Sequence, residues 1–249
     1  MQNLTEMVNN YSNVGNSKLN KNNLNLLFSG ILSGFFISIG AFASQVLTVK
    51  MNNGAIGAMV FPLGLFLVVT AQTELFTGNC LLFINLFKDF KQFLKIIKNL
   101  IIVFIANSAG AHIFGLLIYK ILTDNEIKNV IETAALNKVS KTPEELIISG
   151  ILCNIIVCIS VFLAVNVSSI VEKFCAVYLA IYVFVLCGFE HCVANMYTVF
   201  LGLIYSGNNG IIAYNYNIFF VAIGNIIGGF VLSILLLLST KKFIFKNKK

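Results

Sequence analysis

Gly188-Phe189-Glu190-His191-Cys192-Val193-Ala194-Asn195 interrupts one long apolar region of the chain, and Gln72-Thr73-Glu74-Leu75-Phe76-Thr77-Gly78-Asn79 interrupts another. Their flanks are free of charge: residues 51–73, 174–189 and 192–240 hold no Asp, Glu or Lys, and neither do 22–49, 99–119 and 146–171. A bilayer crossing takes about 20 apolar residues, which places membrane segments near 26–49, 55–87, 97–121, 144–166, 173–203 and 216–240. These runs are continuously apolar rather than alternating, so they read as helices and not as strands of a barrel. A carboxylate near mid-membrane costs at least ~2.5–3.5 kcal/mol, so Glu74 and Glu190 must face protein or a cavity. Gly78 and Gly188 permit turns that other residues resist. Segments two and five therefore read as broken helices, each break buried in protein or lining a path. The two acids either cap the half-helices by satisfying freed amides, or line that path.

Composition supports a membrane protein. Of 249 residues, 58% are hydrophobic and 11% charged, against about 25% charged in a soluble domain. The net charge of +7 rests on 17 basic residues, every one of them Lys, so an anion would meet point charges or backbone amides and no bidentate guanidinium. Lys88, Lys91, Lys95 and Lys98 crowd the connection 88–98, and Lys241, Lys242, Lys246, Lys248 and Lys249 the tail. The connection 122–145 is mildly acidic and 204–215 carries no charge. The positive-inside rule then puts both termini in the cytoplasm. The chain divides into an N-terminal cytoplasmic segment 1–25, a six-helix unit 26–240 and a basic tail 241–249. The tail reads as a topology determinant and lipid-headgroup contact, not a nucleic-acid site.

A repeat runs through this plan. Ser29-Gly30-Ile31-Leu32 recurs as Ser149-Gly150-Ile151-Leu152, 120 residues on; Glu74 recurs as Glu190 after 116; Ala106-Asn107 with Gly110 recurs as Gly224-Asn225 with Gly228 after 118. The halves, about 26–121 and 144–240, hold three spans each, so they must cross with opposite topology, a common plan for transport proteins. His191 follows directly on the second break. An isolated His in an apolar span is ordinarily a hydrogen-bonded packing residue, but imidazole is also the side chain whose unperturbed pKa lies nearest neutrality, and its place at a break favours function. His112, in an unbroken run, reads as packing.

Taken together, Gly188-Phe189-Glu190-His191-Cys192-Val193-Ala194-Asn195, Glu74-Leu75-Phe76-Thr77-Gly78-Asn79, Gly224-Asn225-Ile226-Ile227-Gly228-Gly229, and Asn137-Lys138-Val139 ahead of Gly150-Ile151-Leu152-Cys153-Asn154 resemble, in order, the signatures of the formate/nitrite transporter family over roughly residues 24–240. The resemblance implies an all-α, aquaporin-like membrane fold of six helices with inverted halves, assembled as homopentamers with one pore per protomer. It implies a narrow apolar pore centred on His191 and Thr77, with Lys138 in the outer vestibule and Asn154 and Asn225 as polar flanking residues beside Glu74 and Glu190. Phe61, Leu65, Phe76, Val157 and Phe184 would form the apolar rings; only Phe61 and Leu65, at i and i+4, share a face by spacing alone. In formate-type members the N-terminal region includes a pH-responsive helix, whereas residues 1–25 here are Asn-rich and weakly amphipathic.

The chemistry suits a small weak-acid anion such as formate, nitrite or hydrosulfide. Apolar rings make a bare anion expensive to move, and a proton neutralises it. Lys138 would concentrate anions at the mouth, with Lys141 outside the motif. His191 would supply a proton or favour protonation electrostatically. No cofactor is implied. The six cysteines lie in or beside apolar runs without C-x-x-C spacing and read as buried thiols; adjacent His191 and Cys192 point differently on a helix, so Cys187, His191 and Cys192 do not read as a metal set. An intramembrane enzyme using Glu190 and His191 as acid and base would lack a nucleophile and a substrate-gathering domain. A mere scaffold would need no pair of polar breaks. Thr142-Pro143-Glu144-Glu145 is a capping box with Pro at N1, and Gly30-x-x-x-Gly34 and Gly224-x-x-x-Gly228 are sites of close helix approach.

Overall fold

A computed structural model describes residues 3–87, 89–207 and 210–240. Lys88 and the basic tail 241–249 lie outside the described residues, and with them part of the charge pattern used for orientation. Among the described residues the chain is helical and has no strand. The helices are α1 (Leu4–Leu19), α2 (Asn23–Met51), α3 (Gly54–Ala58), α4 (Pro62–Thr70), α5 (Phe76–Asn79), α6 (Phe83–Leu86), α7 (Phe93–Ile121), α8 (Asn125–Val139), α9 (Pro143–Val165), α10 (Ile170–Leu186), α11 (Cys192–Tyr205) and α12 (Ile211–Ser239), with short 3₁₀ turns at Cys80–Leu82 and Phe90–Gln92.

Local chemistry sets the helix ends. Asn3 with Glu6, Thr142 with Glu145, and Ser169 with Glu172 form capping boxes at the starts of α1, α9 and α10, each satisfying two orphan backbone donors. Asn52, at φ 47°, closes α2 in the left-handed region, which Asn tolerates. Four stretches are long and apolar enough to cross a membrane: α2, Phe90–Ile121, α9 and α12. The second and fifth segments are each assembled from shorter helices, α3 to α6 and α10 to α11, and both are broken at the positions the buried acids mark.

The two halves repeat the same order. α2 packs along α7 as α9 packs along α12, and α4 lies against α10. Close approach depends on missing side chains: a Cβ on Gly34 would overlap the carbonyl of Asn107, and one on Gly228 would press on the carbonyl of Ile151. Both glycine pairs therefore act inside the protomer. The correspondence also reaches further upstream than the spans. α1 and α8 are equivalent helices, each leading into the first long helix of its half.

Two readings change. The stretch 122–145 is not a loop: Asp124 caps α8 through the N–H groups of Glu126 and Ile127, and Ile127, Ile131 and Ala135, four residues apart, bury one stripe against α11. Its polar remainder hides that stripe in the composition. Of the cysteines, Cys80, Cys153, Cys158 and Cys192 are buried, but Cys175 and Cys187 are exposed: Cys175 lies off the face of α10 that buries Val177, Ile181 and Phe184, and Cys187 is its C-cap.

Candidate functional site

Each break is locked by one asparagine. Asn107 Oδ1 accepts from the N–H of Phe76 at 2.8 Å, while its Nδ2 donates to the carbonyls of Gly30 at 2.8 Å and Glu74 at 2.9 Å. Asn225 repeats this set: Oδ1 accepts from the Cys192 N–H at 3.0 Å, and Nδ2 donates to Gly150 at 2.8 Å and Glu190 at 3.0 Å. A broken helix frees backbone groups that lipid cannot satisfy, and a carboxamide offers acceptor and donors from one buried side chain. Asn154 adds a bond from its Nδ2 to the carbonyl of Asn225.

The acids do not cap these amides. Glu74 accepts from Lys18 at 2.9 Å, Lys21 at 2.7 Å and Asn79 at 2.8 Å. Glu190 accepts from Lys138 at 2.8 Å, Lys141 at 2.6 Å and Asn195 at 2.6 Å. Both glutamates are fully buried, and each carboxylate is matched by two ammonium groups and an amide, the compensation a buried charge requires. Lys141, outside the sequence motif, is therefore as close to Glu190 as Lys138 is. Asn99 extends the first cluster and Asn217 the second, each accepting from the neighbouring Asn at 2.8 Å. Lys18 and Lys21 belong to this cluster and are missed by the sequence reading, although both lie 120 residues before Lys138 and Lys141, on the repeat's own offset.

Between the breaks, Thr77 Oγ1 and His191 Nε2 lie 2.9 Å apart, with both residues buried. His191 is also the N-cap of α11, its Nδ1 accepting the N–H of Ala194 at 3.1 Å. A nitrogen that accepts carries no proton, so the neutral ring is protonated on Nε2 and donates to Thr77. The threonine hydroxyl proton then has no acceptor among the described residues. Phe184 stacks on His191 with centroids 5.9 Å apart, and Phe61 meets Phe184 edge-on at 5.5 Å. Phe76 packs on Phe104, and Leu65 and Val157 are buried.

Two cavities approach this pair. One, of about 290 Å³, is lined among others by Lys18, Lys21, Gln72, Gly78 and Lys173. The other, of about 200 Å³, is lined by Lys138, Phe61, Phe184, His191 and Asn195 among others. Thr77, Asn154, Asn225, Glu74, Glu190, Leu65, Phe76 and Val157 line neither. His112 bonds to Tyr214 Oη at 2.9 Å through Nε2 and packs on Phe200, as its packing role requires.

An all-helical membrane unit with two broken helices locked in matching fashion follows a plan common among transport proteins. The model of the formate/nitrite transporter family matches residues 5–239, and the chain belongs to that family. It is similar to the formate channel FocA of Haemophilus influenzae, 30% identical over 203 residues that cover 77% of this chain and 71% of that protein. It is also similar to a probable formate transporter of Methanothermobacter thermautotrophicus, 31% identical over 224 residues covering 80% and 82%. Among solved structures, an FNT family ion channel superposes with a TM-score of 0.83 at 22% identity, over 95% of this chain and 98% of that one. A pentameric formate channel with formate bound gives 0.74 at 22% identity, over 87% and 96%.

Proposed function

We propose that the chain conducts small monovalent weak-acid anions, formate or nitrite first and hydrosulfide second, through a pore between its two halves. The relatives named as a formate channel and a probable formate transporter support the substrate class. The observation that carries the reading is the Thr77–His191 bond of 2.9 Å, which leaves one hydroxyl proton unclaimed beside the apolar rings of Phe61 and Phe184. In this account residues 26–240 form six crossings in two inverted halves, with residues 1–25 and the tail 241–249 cytoplasmic. The protomers assemble as a homopentamer in lipid, as the pentameric structural neighbour suggests.

The mechanism follows from desolvation. An unpaired anion is costly to strip of water. Each lysine-rich vestibule carries net positive charge, since two ammonium groups face one carboxylate, and this attracts the anion within about 10 Å at 0.1 M salt. At the constriction, His191 acts as a fixed neutral donor: Ala194 holds Nδ1, Nε2–H turns to Thr77, and the threonine O–H is offered to the passing oxygen. The proton that lowers the charge travels on the substrate, which takes it from water, so flux rises as pH falls towards the substrate's own pKa. Chloride cannot take that proton and is disfavoured.

Anion entry into liposomes holding the purified protein tests this reading, with formate, nitrite, hydrosulfide, lactate and chloride compared at two pH values. Formate and nitrite are expected to enter fastest, faster at the lower pH, with chloride near background. Equal rates for chloride and formate, or none above protein-free liposomes, would overturn it.

A further inference from the structure

Both first half-helices end in the same chain reversal. At the end of α10, Gly188 N–H bonds to Val185 O at 3.0 Å and Phe189 N–H to Phe184 O at 3.1 Å. At the end of α4, Gln72 N–H bonds to Val69 O at 3.3 Å and Thr73 N–H to Val68 O at 3.0 Å. This is the Schellman pattern, whose first residue past the cap sits in the left-handed region and is usually glycine. Gly188 takes φ 69° without a Cβ; Gln72 takes φ 53° with one. Of the described non-glycine residues with positive φ, the other is Asn52, a type that tolerates it. Gln72 therefore holds a strained backbone where the other half has the relaxed solution.

No described side chain compensates for that strain by bonding to Gln72. The Gln72 side chain is exposed, makes no hydrogen bond to another described residue, and lines the 290 Å³ cavity with Lys18, Lys21 and Lys173. Strain retained without an internal partner points to a use outside the fold. Resting on the channel reading above, we infer that Gln72 is a specificity-determining residue of the inner vestibule. Its carboxamide receives a small oxyacid leaving the lysines for Thr77. The NH₂ donates to the ionised form and the carbonyl accepts from the O–H of the protonated form, so one side chain serves both states. Chloride and other anions without an O–H form gain only half of this.

The test uses the full chain in liposomes with formate as probe. Gln72→Met keeps the length and the strain but removes the amide: the half-saturating formate concentration is expected to rise about three- to tenfold, with the formate-to-chloride ratio falling and the thermal midpoint unchanged. Gln72→Gly should show the same loss together with a thermal midpoint higher by about 2–4 °C, because the strain is gone. Gln72→Asn, which keeps an amide and suits this backbone, should stay within about twofold of the unmodified protein. Wild-type half-saturation and selectivity in both Gln72→Met and Gln72→Gly would overturn the inference while leaving the channel reading intact. Absence of formate flux in the unmodified protein would overturn the channel reading itself, and this inference with it.

Discussion

His191 does two things with its two nitrogens, and they can be separated. Nδ1 caps α11 and Nε2 reaches Thr77. Asparagine is among the best N-cap residues, but its side chain is too short to replace the second contact. His191→Asn is therefore expected to keep the thermal midpoint and lose about tenfold in formate flux, with the residual flux still rising towards acid pH. His191→Phe loses the cap as well and should unfold more readily, by about 1 kcal/mol. A flat pH profile in His191→Asn would show that imidazole titration, not the substrate's proton, sets the dependence. At this scale the sequence was informative where a residue type is costly. A histidine and two carboxylates inside apolar runs announce themselves, whereas the positive φ of Gln72 does not, because nothing in a glutamine's chemistry foretells it.

The elements show why symmetry was only partly legible. The offsets that pair Glu74 with Glu190 and Asn107 with Asn225 come from segments whose apolarity frames each polar residue. α1 and α8 are polar helices, so composition reads them as a leader and a loop, although they deliver Lys18 and Lys21, and Lys138 and Lys141, to the buried acids. Lys138 and Lys141 have side chains 22% and 33% exposed, and Glu190 is 1% exposed, so each is a partner whose removal leaves a buried carboxylate short of a donor. Lys138→Met and Lys141→Met are each expected to destabilise the protein by about 1–3 kcal/mol, and the double substitution to depart from their sum. Thermal unfolding in detergent measures this. An unchanged midpoint in Lys141→Met alone would show that Lys138 and Asn195 suffice for the buried carboxylate.

At the scale of the molecule, two halves built on one plan meet at a pair that breaks the plan. Counted by the repeat's offset of 116, Thr77 corresponds to Val193 and His191 to Leu75, so the polar centre belongs to one side of each break only. The fold was legible because apolar length and a repeat constrain topology strongly. Assembly was legible only through the family resemblance and not from the residues themselves, since exposed Ile105 and Leu116 on α7, Leu179 on α10 and Phe219 on α12 would face lipid or a second protomer with the same chemistry. The central claim is that anions pass within each protomer, by way of the Thr77 hydroxyl. Val193 shows that valine fits the equivalent position of this scaffold, and Thr77→Val removes the hydroxyl while nearly conserving volume. The decisive measurement is the initial rate of formate entry into liposomes carrying Thr77→Val at matched protein density and assembly state. The account predicts a fall of about tenfold or more; a rate equal to that of the unmodified protein would contradict it.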